Sequence, residues 1–218
     1  MCLSPEVDAV ATVTISVFAF DALRHNKSLR SLPLALVPSV FALHTLSSAF
    51  VWWAHRGHVS PWVGAEAAKF FIAVAFAFLP IYIPFAVWCI EPAGLRRNVL
   101  SVLCLAGLFS GLSFAQSIAR GDSSAVVGHH AIAYHVHHVS TLAMCLYFVA
   151  TCGAMLLSGF PSLIAWGALN VGVILFLFWW MFEDLPSIWC FWAGATSGFV
   201  AWFMRSDAVE LFTPRRRE

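Results

Sequence analysis

The sequence predicts an all-α integral membrane protein, a bundle of about seven transmembrane helices, and two observations predict it. Hydrophobic residues make up 61% of the 218 positions and charged residues 11%, with a mean hydropathy of +0.82. Soluble domains carry roughly 45–50% apolar and about 25% charged residues, so this balance excludes an ordinary soluble protein. Because roughly 20 apolar residues cross a bilayer, the chain has room for about seven crossings with short connections and no separate soluble domain.

Seven apolar runs supply these helices, and together they make residues 1–218 a single helical domain. The runs are 9–23, 32–54, 65–90, 98–118, 139–158, 162–182 and 186–204. The first run lies between Asp8 and Asp21 and can also be interpreted as an uncleaved anchor. A cleaved signal peptide is disfavoured, because Glu6 and Asp8 occupy the region where such peptides carry Lys or Arg.

The positions of the Lys and Arg residues predict the orientation, since cytoplasmic loops are enriched in them. With seven spans, most of them fall on one side: Arg24, Lys27, Arg30, Arg96, Arg97, Arg205, Arg215, Arg216 and Arg217. The opposite side holds Arg56 and Arg120, and Lys69 lies inside the third run. We therefore expect the N-terminus outside and the C-terminus in the cytoplasm. The short arginine tail fits contact with anionic membrane lipids, and nucleic-acid binding is not expected.

The connection between the fourth and fifth runs contains a dense histidine cluster on the side predicted to be extracytoplasmic. It holds His129, His130, His135, His137 and His138. The same side carries His55, His58, Glu66 and Glu183. Imidazole and carboxylate groups are the usual ligands of zinc, copper and iron, so the sequence predicts a transition-metal site there. Such a site would serve redox or hydrolytic chemistry, with Glu66 as general base or as a partner of a ligand.

The conformation of the histidine segment is left open by its sequence. As a helix, it would place His130, Tyr134, His137 and His138 on one face. As an extended strand, it would point His135 and His137 in the same direction. Either conformation presents at least two imidazoles to one ion.

Other interpretations of these residues compete with the metal site. The histidines can be ordinary surface residues of a solvated loop, or they can respond to pH, because unperturbed histidine titrates near pH 6.5. Glu66 and Lys69 lie three residues apart on a helix, where a local ion pair accounts for both. A different function is that of a non-catalytic accessory subunit in a larger respiratory or photosynthetic membrane complex, contacting neighbouring subunits, lipids or pigments. Whether the protein is an enzyme is open.

His44 lies near the middle of the second run, beside Thr45 and Ser48. Hydrogen bonding between helices is the ordinary explanation for such residues. A cofactor-binding role as an axial haem ligand is the alternative. Haem is disfavoured, because b-type sites usually have a second histidine on a facing helix and the sequence has none at mid-membrane.

Four separated motifs carry a resemblance that spans nearly the whole chain. They are Met1-Cys2-Leu3-Ser4, Leu32-Pro33-Leu34-Ala35-Leu36-Val37-Pro38, Gly128-His129-His130 and Ser187-Ile188-Trp189-Cys190-Phe191. In this order they resemble a family of uncharacterised bacterial multi-pass membrane proteins, a domain of unknown function whose members open Met-Cys-Phe-Ser. The resemblance implies a multi-helix fold in the bacterial inner membrane, with no activity attached. Where the family's second helix is expected to carry Gln-Gln and then Glu, this chain has His44-Thr45 and Ser48.

Overall fold

The computed structural model describes residues 4–128, 131–180 and 185–206. In these ranges seven helices follow one another: α1 Pro5–Arg24, α2 Leu32–His55, α3 Pro61–Ile90, α4 Leu95–Ala119, α5 Thr141–Leu156, α6 Pro161–Trp180 and α7 Leu185–Arg205. Within the described residues, each predicted apolar run coincides with one of these helices, which confirms the all-α class. The largest boundary difference is four residues, at the starts of α1 (5 against 9) and α3 (61 against 65). A small antiparallel sheet, β1 Ser123–Val127 and β2 Ile132–Val136, is inserted between α4 and α5.

Serine caps begin three of the odd-numbered helices. The serine hydroxyl oxygens accept backbone N–H groups of the first turn: Ser4 from Val7 (3.2 Å), Ser60 from Val63 (3.4 Å) and Ser140 from Ala143 (3.2 Å). Proline follows the first two of these serines, at the helix position where its missing N–H costs nothing. The starts of α1, α3 and α5 are therefore encoded locally.

Helix α3 contains a π-helical segment, Ala73–Phe78, immediately before Pro80. Because proline has no N–H, the carbonyls of the preceding turn lose a partner. The Tyr147 hydroxyl of α5 donates to one of these carbonyls, that of Ala75, at 3.0 Å. Helix α4 also approaches α3 closely, at Gly107, where an added Cβ would lie 1.9 Å from the Pro80 carbonyl oxygen. The glycine and the proline together allow α3 and α4 to pack backbone against backbone.

Two ion pairs show which helix ends lie together. Glu6, in the first turn of α1, pairs with Arg56 at the end of α2, so these helices run antiparallel. Asp21, near the end of α1, pairs with Arg205 at the end of α7 at 2.7 Å, so α1 and α7 run parallel. An alternating up-and-down bundle satisfies both. We call the end with Glu6, Arg56 and the strands the hairpin end, and the opposite end the basic end. The basic end carries Arg24, Lys27, Arg30, Arg96, Arg97 and Arg205.

The β hairpin packs onto the helices of its own end of the bundle. Ile132 and Tyr134 of β2 are buried in a cluster that includes Val51, Phe71 and Ile72. The hairpin is also fastened at its base, because the Ser117 hydroxyl of α4 donates to the carbonyl of His137. Side chains alternate along a strand. Ala133, between the two buried residues, and His135, after them, therefore point away from the bundle.

Three of the helices in the described ranges are long and apolar enough to cross a membrane: α2, α3 and α4. Helix α5 and the segment Pro161–Phe176 of α6 are shorter apolar helices. Apolar side chains also cover much of the outside of α1, where Val10, Val13 and Phe20 are exposed. The outer surface of the bundle thus suits an apolar environment.

Candidate functional site at the hairpin end

Two of the predicted metal ligands lie together on the outside of the hairpin. His135 belongs to β2 and His137 follows it, and both side chains are exposed. Their ring centroids are 6.1 Å apart and their planes differ by 20°. The segment is therefore extended, the second of the two conformations considered from the sequence, and it points these imidazoles in the same direction.

The backbone around this pair is held by hydrogen bonds on both sides. His135 is paired with Ser124 of β1, and the His137 N–H donates to the Asp122 carbonyl at 2.8 Å. His138, which is exposed, has a positive φ of 57° and turns the chain toward α5. The two imidazoles consequently project from a supported strand, and only their side-chain torsions need to change for both to contact one ion.

The other predicted ligands are not brought to this pair within the part of the chain that the structure describes. His55 ends α2, His58 lies in the following loop, and both are exposed. In the described ranges no group of three or more His, Cys, Asp or Glu side chains is placed to hold a metal ion. His129, His130 and Glu183 lie outside the described residues.

Glu66 is engaged in the ion pair that the sequence offered as the alternative. Its Oε1 lies 2.7 Å from Nζ of Lys69, and both side chains are exposed on α3. An exposed pair of this kind contributes about 0–1 kcal/mol. The carboxylate accordingly has a partner of its own on the surface of the bundle.

Beneath the hairpin, a stack of three rings leads into the bundle. Tyr134 of β2 stacks on Phe71 of α3 with a centroid distance of 3.8 Å, and Phe71 stacks on His44 of α2 at the same distance. His44 is only 3% exposed, and neither ring nitrogen has a hydrogen-bond partner among the described residues. A buried polar group without a partner costs about 1–3 kcal/mol. Burial of His44 without such a partner therefore lowers the stability of the bundle.

His44 is the inner end of a polar stripe that runs along one face of α2. The stripe consists of His44, Ser48, Trp52 and Arg56, each four residues after the last. The Ser48 hydroxyl donates to Oδ2 of Asp8 on α1 at 2.7 Å, and Asp8 is fully buried. Two further groups lack hydrogen-bond partners among the described residues: the indole N–H of Trp52 and the hydroxyl of Thr45, which follows His44. The stripe thus combines one strong interhelical bond with several unsatisfied groups.

At the surface the stripe ends in the ion pair between Arg56 and Glu6. The Arg56 guanidinium donates a hydrogen bond to the Glu6 carboxylate, and this holds the pKa of that carboxyl below its ordinary value. Both side chains are exposed. The pair closes the gap between α1 and α2 at the hairpin end without burying a charge.

The resemblance predicted from the four motifs can now be compared with known families. A family of unknown function, DUF6629, matches residues 1–213. The chain belongs to this family. No curated protein and no solved structure matches it. Family membership confirms the expected uncharacterised family, and it brings no activity or site residues to the chain.

In this member of DUF6629, one part of the site was missed by sequence reasoning. Asp8 was interpreted as the boundary of the first run and as evidence against a cleaved signal peptide, yet its carboxylate lies inside the bundle beside Ser48. The sequence did contain one indication of this site, a carboxylate at the start of an apolar helix. Burying an ionisable side chain within a membrane costs free energy, so such residues usually have a function. The identity of its partner, 40 positions away, is set by helix packing and cannot be obtained from periodicity.

The basic end offers a contrasting buried carboxylate. Glu91, which follows α3, is 3% exposed. Its Oε2 accepts the Gly159 N–H at 2.9 Å and the Ser158 hydroxyl at 3.3 Å. These bonds fix the connection between α5 and α6 to the end of α3, so the contacts of Glu91 explain its position structurally.

Proposed function

We propose that the protein is a multi-pass protein of the bacterial inner membrane, with the hairpin end outside and the basic end in the cytoplasm. Three helices meet the length and hydropathy of membrane spans. Because the seven helices alternate in direction, we infer that the remaining four cross the membrane as well. The basic end gathers six of the described Lys and Arg residues, Arg24, Lys27, Arg30, Arg96, Arg97 and Arg205, as cytoplasmic ends do. Labelling of single cysteines introduced at His58 and at Ser28 tests the orientation, because an impermeant reagent added to intact cells should reach only the first.

We further propose that the hairpin binds a transition-metal ion, zinc or copper, through His135 and His137. The observation that carries this proposal is the exposed, nearly parallel pair of imidazoles on one side of a supported strand. Two imidazoles suit Zn²⁺ and Cu²⁺, and Cu²⁺ is favoured at equal availability. His138 and the outlying His129 and His130 are the candidates for further ligands. Positions not filled by protein groups would accept water or substrate, which is the requirement for hydrolytic or redox chemistry.

The test is metal binding by purified protein in detergent, measured by titration with Zn²⁺ and with Cu²⁺ and by elemental analysis after desalting. The double variant His135→Ala/His137→Ala should lose the site. A matched double variant, His55→Ala/His58→Ala, removes two other exposed histidines from the same end and should retain it. Retention of the metal by the first variant, or absence of binding by the unaltered protein, would overturn the proposal.

The accessory-subunit hypothesis is a second candidate, and one feature favours it. A largely apolar groove of about 580 Å³ lies between α1 and α7, lined by Val10, Ile15, Phe18, Gly194 and Ala195 among others. Its apolar lining suits a transmembrane helix of a neighbouring subunit. Gly194→Leu would fill the groove, so native mass spectrometry should show loss of the associated subunit. An unchanged complex, or an isolated chain in both samples, would contradict this function.

A further inference from the structure

The polar stripe on α2 points to a site that differs from the metal-binding hairpin and does not depend on it. His44 and Trp52 of the stripe, and Thr45 beside His44, are almost completely buried: His44 is 3% exposed, Thr45 1% and Trp52 6%. None of the three has a hydrogen-bond partner among the described residues for its side-chain polar atoms. His44, Thr45 and Trp52 lie within nine consecutive residues of one helix, so a single cause for their missing partners is more economical than separate ones.

Ordered water is the ligand that fits such a set. Buried water typically makes about three hydrogen bonds to groups that would otherwise be unsatisfied. The stripe offers an indole N–H donor, a hydroxyl that donates and accepts, and an imidazole that does either according to its tautomer. Asp8 and Ser48 lie between Trp52 and His44 and add polar surface at the middle of the stripe.

The stripe is also long enough to lead from the surface of the bundle into the interior of the membrane. Twelve residues separate His44 from Arg56, about 18 Å along a helix. That depth exceeds half of a hydrocarbon core about 30 Å thick. The outer end is the exposed Glu6 and Arg56 pair. A file of water along the stripe would therefore connect the surface of the hairpin end with the interior of the membrane.

We propose that ordered water lies beside this stripe, against His44, Thr45 and Trp52, and that it gives His44 proton exchange with the hairpin-end surface. Among the described residues, His44 stacks on Phe71 of α3, with Tyr134 of β2 behind that ring. The Asp8 carboxylate of α1 is bonded to Ser48, one turn farther along α2. In the part of α7 whose side chains are described, the only ionisable group is Arg205, which is paired with Asp21 at the basic end. His44 is thus the innermost ionisable group of the stripe.

Solid-state NMR of the metal-free protein in lipid bilayers tests the proposal with water itself as the probe. Transfer of magnetisation from water to ¹⁵N-labelled histidine and tryptophan rings reports which rings contact water. We expect rapid transfer to His44, assigned by its disappearance in His44→Phe, and to Trp52. Trp192 is the matched control, because its indole N–H donates to Asn170 at 2.7 Å and needs no water. Transfer to Trp52 and His44 as slow as to Trp192 would show a dry stripe and overturn the proposal.

A pair of variants then tests the route. Ser48→Val removes the hydroxyl between Trp52 and His44, so transfer to His44 should slow by about tenfold or more while transfer to Trp52 persists. Ser47→Val is the control, since the Ser47 hydroxyl donates to the His44 carbonyl of its own helix at 2.6 Å. Unchanged transfer to His44 in Ser48→Val would mean that water arrives elsewhere, which contradicts the path. If Ser48→Val does not fold, the comparison of Trp52 with Trp192 still decides the proposal.

Discussion

Two buried ionisable side chains in different halves of the bundle, Glu91 and His44, have opposite surroundings. At the basic end, Glu91 accepts bonds from Gly159 and Ser158. Toward the hairpin end, His44 is equally buried, and its ring nitrogens have no partner among the described residues. Because an unsatisfied buried group costs about 1–3 kcal/mol, the first arrangement stabilises the fold and the second lowers its stability. The difference indicates that stability accounts for Glu91, whereas His44 requires another explanation.

The same contrast extends to the surface of the two ends. The basic end presents arginines and a buried anchor for the connection between α5 and α6. The hairpin end presents His135 and His137 on a small sheet whose inner face is anchored by Ile132. The hairpin end therefore exposes two neighbouring imidazoles, whereas the basic end exposes arginines.

The largest expected effect comes from removing the hairpin's own anchor. Ile132 is fully buried, and truncation of such a residue costs about 2–5 kcal/mol. Ile132→Ala should release the hairpin, seen as faster amide hydrogen exchange over 123–136, while exchange near Glu91 stays the same. Val126→Ala, at an exposed position of β1, should leave exchange unchanged. Equal acceleration at both ends would show that the ends do not behave separately.

A smaller loss is expected when the helices that join the two ends are forced apart. Gly107→Ala places a Cβ 1.9 Å from the Pro80 carbonyl oxygen, and overpacking of this kind costs about 1–3 kcal/mol. Gly172→Ala is the control, because a Cβ there meets nothing within 4 Å. Denaturant unfolding in detergent, followed by circular dichroism, should show a lower midpoint for Gly107→Ala alone. A midpoint unchanged from the unaltered protein would refute the close backbone approach of α3 and α4.

The comparison of Glu91 with His44 is tested directly by paired substitutions. Glu91→Ala leaves the Gly159 N–H without its acceptor and should destabilise by about 1–3 kcal/mol. His44→Phe replaces an unpartnered ring by an apolar one and should be close to neutral or stabilising. The same unfolding measurement checks both. If His44→Phe proved the more destabilising, His44 would be a structural residue like Glu91.

The smallest effect concerns the ion pair at the mouth of the stripe. Arg56 lowers the pKa of Glu6, so the stabilisation from this pair is present above the unfolded-state pKa and is lost as the pH falls through the lower folded-state pKa. Arg56→Gln should return the Glu6 pKa toward its ordinary value, measured by ¹³C NMR titration. Arg120→Gln, at another exposed arginine of the hairpin end, should leave it in place. A Glu6 pKa that does not rise in Arg56→Gln would mean that the pair does not form.

Much of the fold could be obtained from the sequence, because apolar runs and serine caps act locally. The seven runs correspond to the seven helices, and the π-helical segment before Pro80 is consistent with proline's missing N–H. The hairpin was less accessible. The segment from Ile132 to His137 satisfies a helical and an extended pattern alike, and only the pocket that receives Tyr134 and Ile132 decides between them.

The candidate site could be predicted only in part, for the same reason. The pairing of His135 with His137 follows from strand periodicity once the segment is known to be extended. The contact of Asp8 with Ser48 joins residues 40 positions apart, and it depends on how α1 rotates against α2. The spacing of four along the stripe can be read from the sequence, but local patterns do not show which of its groups find a partner, so the unsatisfied groups appeared only with the packed bundle.

The most direct test of the hairpin as a metal site is X-ray absorption spectroscopy of protein loaded with equimolar Zn²⁺. We expect the multiple-scattering signal of imidazole ligands at Zn–N distances of about 2.0–2.1 Å. The signal should be lost in His135→Ala/His137→Ala and retained in His55→Ala/His58→Ala. A spectrum without imidazole scattering, or one that is unchanged when His135 and His137 are removed, would contradict the assignment of the metal to the hairpin.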